Sequence, residues 1–89
     1  MARLDFNSHG GLESAAHGGT SDALYQLGLT YCVGRDVEVD LVQAHKWFNL
    51  AALRGNEEAR RYRGEISKEM SKLDIARAQK LAREWIATQ

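Results

Sequence analysis

At 89 residues and 10.0 kDa, the chain has room for one small core and excludes a multidomain arrangement. A composition of 44% apolar and 27% charged residues is that of an ordinary globular protein, which excludes a disordered tail. No apolar run approaches the ~18 residues of a bilayer crossing. Twelve basic side chains balance twelve acidic ones, so neither nucleic acid nor a membrane surface is expected as a partner.

The opening ten residues hold one base, Arg3, and no apolar stretch, so no secretory leader is expected and the cytoplasm is the expected location. Cys32 is the single cysteine, which excludes an intramolecular disulfide and points to a small buried side chain. Charge is unevenly distributed: residues 1–53 carry a net −3 and residues 54–89 a net +3.

Residues 1–11 contain His9-Gly10-Gly11 and little periodicity, so they are expected to be a flexible segment, followed by one short turn around Leu12–His17. From residue 20 the apolar side chains recur at helical spacing. Thr20 or Ser21 can cap a first helix presenting Leu24, Leu27, Gly28 and Tyr31, which Gly34 should end as a left-handed residue. After a connection over 35–39, Asp40 caps a second helix, with Gln43 as its capping-box partner. Its apolar stripe is Leu41, Ala44, Trp47, Phe48, Ala51 and Ala52, and Gly55 ends it. Asn56 caps a third helix, with Glu57 and Glu58 suited to its positive end and Ala59, Tyr62, Ile66 and Met70 on one side. Ser71 and Asp74 form a further capping box, opening a last helix with an inner face of Ile75, Ala78, Leu81, Ala82, Trp85 and Ile86. The expected fold is all-α, two antiparallel helix hairpins over residues 12–89.

The chain also repeats. Ala15, Ala16, Gly19, Ala23 and Gly28 recur 36 positions later as Ala51, Ala52, Gly55, Ala59 and Gly64. Asp40, Leu41 and Ala44 recur 34 positions later as Asp74, Ile75 and Ala78. This is the period of a helix-turn-helix solenoid. Alanine and glycine permit close approach, and a glycine inside a helix costs about 1 kcal/mol relative to alanine. A neighbouring helix backbone is therefore expected against Gly28, and likewise against Gly64, with Trp47 and Phe48 filling the wider gaps.

The segments Ala23-Leu-Tyr-Gln-Leu-Gly28-Leu-Thr-Tyr31, Gly34-Arg-Asp-Val37, Asp40-Leu-Val-Gln-Ala44-His-Lys-Trp47-Phe48 and Ala51-Ala52-Leu-Arg-Gly55 resemble the Sel-one-like repeat, a relative of the tetratricopeptide solenoids. One complete repeat is present between Ala23 and Gly55, with the tail of an earlier copy at Ala15–Gly19 and a degenerate copy from Ala59 onward. Arg35-Asp36 departs from the pattern, standing where the family prefers a second glycine. Arg61 and Arg63 replace Tyr25 and Leu27 in the degenerate copy, as a water-facing solenoid cap requires. The N-terminal side, by contrast, lacks a full helix to cover the complete repeat.

Catalytic constellations are weak. His9, His17, His45 and Cys32 lack the spacing that sets two metal ligands on one side of a turn. Gly10-Gly11 and Gly18-Gly19 lack the lysine and hydroxyl of a phosphate loop, and no nucleophile has a base and an orienting partner. No enzyme activity, metal or cofactor is expected. The resemblance implies a protein-interaction scaffold that presents a helical surface to another protein or peptide. Tyr25, Leu29 and Cys32, continued by Arg61 and Glu65, are the expected contact residues. The alternative is a homo-oligomer stacking through its uncapped N-terminal face.

Overall fold

A computed structural model of the protein describes residues 20–89. The expectations for residues 1–11 and the Leu12–His17 turn fall outside this range, as do the first three partners in the 36-residue recurrence. Four helices follow one another: α1 (Ser21–Val33), α2 (Leu41–Leu53), α3 (Glu57–Ser67) and α4 (Lys72–Ala87), with no strand among the described residues.

Every helix begins on the side chain the sequence offers. Thr20, Asp40, Asn56 and Ser71 accept from the amides of Ala23, Gln43, Ala59 and Asp74, at 2.7 to 3.1 Å, satisfying one of the open donors of each first turn. The box at Asp40 is only half formed, because the Asp40 amide donates instead to the Tyr31 carbonyl at 3.0 Å. That bond closes the α1–α2 connection. Helix α1 ends at Gly34, at φ 78°, with the Gly34 amide donating to Thr30 O at 3.0 Å. Asp36 takes φ 63°, so the second glycine of the family pattern is replaced by one of the few side chains that tolerate that region. The hairpin is kept. At the end of α2, Gly55 turns at φ 96° while its amide and that of Asn56 donate to Ala52 O and Ala51 O, a pairing that satisfies two terminal carbonyls.

The core is built around α2, which packs against α1, α3 and α4 in turn. Leu24, Leu27, Ala44, Trp47, Phe48, Leu50, Ala51, Ala59 and Ala82 are almost wholly removed from water. Helices α3 and α4, although consecutive, make little direct contact, and α4 rests on α2 through Ala78, Ala82 and Trp85. Ile86 does not join that face and is 47% exposed, because α4 is covered from one side only and the covered stripe is narrow.

The two recurring glycines differ. A Cβ on Gly28 would sit 2.5 Å from Phe48 Cε1 and 3.0 Å from Cγ, so the close approach there is to a ring rather than to a helix backbone. Phe48 therefore fills a tight gap, not a wide one. A Cβ on Gly64 would meet nothing within 4 Å, and Gly64 is exposed. The reason is that α4 packs on α2 and makes little direct contact with α3, so no ring is brought to Gly64.

Candidate functional site

Helices α1 and α3 lie side by side over α2, joined by aromatic rings. Phe48 and Tyr62 stack with centroids 5.6 Å apart at 18°, and Tyr25 approaches both, at 6.0 Å from Phe48 and 6.2 Å from Tyr62. Gly28 makes room for the Phe48 ring on which this cluster is built. Tyr25, Leu29, Cys32 and Tyr62 are partly buried against the core, leaving part of each side chain at the surface.

The five side chains expected to meet a partner are thus divided. Tyr25, Leu29 and Cys32 follow one another along α1 at helical spacing, half-buried, and contribute to packing as well as to surface. Arg61 and Glu65, on α3, are exposed. Arg61 pairs with Glu58, and its guanidinium lies 5.8 Å from the Tyr62 ring centroid; Glu65 pairs with Lys68 at 3.6 Å. Burial, with Tyr62 and Glu58 beside it, holds the Tyr25 hydroxyl above its ordinary pKa. Burial and the charge of Glu69 push the Cys32 thiol up, so at neutral pH it is a thiol and a poor nucleophile.

Arg63 does not face water as a cap would. It turns inward, and its Nη1 donates to Asn49 Oδ1 at 2.6 Å. One turn along, His45 Nε2 lies 3.1 Å from Ser67 Oγ, which itself donates to the Arg63 carbonyl at 2.7 Å. His45 and Asn49 on α2, and Arg63 and Ser67 on α3, therefore form a two-rung polar ladder across the helix interface. Sequence reasoning passed over Asn49 and Ser67. The available signal was the pair of polar i, i+4 spacings, 45/49 and 63/67, set within two interacting helices.

Among the described residues, no group of three or more His, Cys, Asp or Glu side chains converges to hold a metal ion, and no helix is long and apolar enough to cross a membrane. What the α1–α3 face offers is a strip of part-exposed apolar side chains bordered by charge. No curated protein matches the chain. The family model described as Sel1 repeat matches residues 21–56, which takes in all of α1, its left-handed turns at Gly34 and Asp36, all of α2 and the Gly55 stop. The chain carries a Sel1-like repeat.

Proposed function

We propose that the protein is an interaction scaffold that binds a segment of another protein along the α1–α3 face, through Tyr25, Leu29, Cys32, Arg61 and Glu65. Sel1 repeats are generally non-enzymatic protein–protein interaction modules, and the observation that carries the reading here is the aromatic cluster. Tyr25 and Tyr62 are held by Phe48 yet remain part-exposed, which supplies rigid contact area at little conformational cost. Charge sets the chemistry of the partner. Asp22, Glu58, Glu65 and Glu69 lie on α1, on α3 and just beyond α3; Arg61 and Lys68 are already engaged by Glu58 and Glu65. The excess is negative, so a segment with apolar and basic side chains fits best.

The test is a double substitution, Tyr25→Ser with Leu29→Ser, after a partner has been captured and purified. Loss of two anchors of this kind should weaken direct binding about 30-fold or more, with helicity by circular dichroism retained. If helicity collapses together with binding, these side chains serve the core. Undiminished binding by the folded variant rules out this face.

A second reading, self-association, is favoured by the acidic α1–α2 connection (Asp36, Glu38, Asp40) and the basic excess of α4 (Lys72, Arg77, Lys80 and Arg83 against Asp74 and Glu84). Stacking driven by these charges weakens as salt rises, and sedimentation at low and high ionic strength separates it from the first reading.

A further inference from the structure

The His45 ring is 3% exposed, and the protonation state of the ladder can be read by counting hydrogens. A carbonyl only accepts, so the Ser67 hydroxyl proton is committed to Arg63 O. Ser67 Oγ must then accept from His45, and Nε2 carries the hydrogen. In the neutral ring Nδ1 is consequently a bare lone pair. It is buried and has no hydrogen-bond partner among the described residues.

Adding a proton at Nδ1 therefore costs twice. The new N–H finds no acceptor on a neighbouring helix, only the residue's own backbone, and the ring becomes a cation in a buried interface. The charged group that bears on it, from α3, is the Arg63 guanidinium, whose hydrogen-bond partner is the neutral amide of Asn49. Nothing on the ladder is anionic to offset a second positive charge. Burial foremost, then Arg63, holds the imidazole below its ordinary value, against an opposing contribution from its own backbone.

We propose that the His45–Ser67 and Asn49–Arg63 rungs are an acid-sensitive latch that keeps α3 seated on α2 near neutral pH and loosens it as the solution is acidified. The consequence for partner binding rests on the function proposed above. Tyr62, Arg61 and Glu65 all ride on α3, so unseating that helix separates Tyr62 from Phe48 and Tyr25 and dismantles the contact face.

The sign follows from linkage. A histidine with a lowered native pKa contributes stability that is fully present above the unfolded value, about 6.5, and is lost as pH falls below it. With proton uptake weaker in the folded chain than in the unfolded one, the unfolding constant should rise between pH 6.5 and 5.5, by at most about fivefold. Denaturant titrations of the full chain across this range test the latch, with His45→Gln as the comparison. Glutamine keeps an N–H donor for Ser67 and cannot titrate, and His9 and His17 are common to both proteins. The wild type should show this rise in excess of the variant. Amide exchange over residues 59–67, corrected for intrinsic rates, should accelerate on acidification in the wild type alone. Should the variant not fold, the ring resonances of the wild type decide, because the latch requires the Nε2–H tautomer of the neutral ring and titration of His45 below the ordinary value in the folded protein. Equal pH slopes, or a His45 ring that titrates at the ordinary value in the folded protein, overturns the proposal. None of these readouts involves a partner, so failure of the latch is distinct from failure of the interaction reading.

Discussion

Gly28→Ala should destabilise the protein by about 1–3 kcal/mol, whereas Gly64→Ala, at the equivalent position one repeat later, should stabilise it by about 0.4–1 kcal/mol. The two glycines look alike in the sequence, each inside a helix and 36 residues apart. Their surroundings are opposite. A Cβ on Gly28 collides with Phe48 Cε1 at 2.5 Å, and that ring cannot retreat. It is fully buried, stacked on Tyr62 and approached by Tyr25. Either the ring tilts off its rotamer or α1 lifts from α2, and both routes disturb the aromatic cluster. At Gly64 an added methyl enters open space, so only the helix-propensity gain and the reduced freedom of the unfolded chain remain. Denaturant midpoints of the two variants against the wild type decide the matter. Movement of both midpoints in the same direction would show that the Phe48 contact is not what requires glycine at position 28.

That pair also marks how far the sequence could be read. The caps were legible because capping is local: Thr20, Asp40, Asn56 and Ser71 each serve an amide three residues away, and the side chain and its target lie in one short stretch. The apolar stripes of α1 and α2 were legible from their period, since both helices are covered along most of their length. The stripe of α4 was overdrawn at Ile86. Periodicity reports which side of a helix is apolar but not how wide a strip its neighbours cover, and α4 has chiefly α2 to cover it. The recurrence of small residues was real, but its meaning depended on what lies opposite, the Phe48 ring in one case and open space in the other. The His45 ladder escaped notice for a related reason. Its partners lie 22 and 14 residues away on another helix, and a lone histidine gives no local sign that it will be buried. Asp36 is the reverse case: the departure from the family pattern was visible, and the chain accommodates it with a left-handed aspartate.

Trp85→Ala should cost about 3–5 kcal/mol, a large share of the 5–15 kcal/mol that holds a typical small domain together. The magnitude follows from how α4 is attached. Its fully buried side chains are Ala78, Ala82 and Trp85, so one indole is by far the largest side chain that the helix buries. Trp85 meets Trp47 edge to face, with centroids 5.6 Å apart at 81°, a geometry that aligns the positive ring edge with the negative face of its partner. The guanidinium of Arg54 lies 5.9 Å from the Trp85 ring centroid and adds a cation–π contribution. Truncation leaves two buried methyl groups and the half-buried Ile75 and Leu81 to hold sixteen residues of helix against α2, and it uncovers one side of Trp47. Helix α4 should then detach before the α1–α2 hairpin melts. Trypsin should cut faster at Lys72, Arg77, Lys80 and Arg83, and the near-ultraviolet signal of the paired indoles should fall away. Ile86→Ala is the control on the same turn of the helix: its side chain is 47% exposed, and its loss should change stability by less than about 0.5 kcal/mol. If the two substitutions prove equally mild, α4 is not held on α2 by its tryptophan.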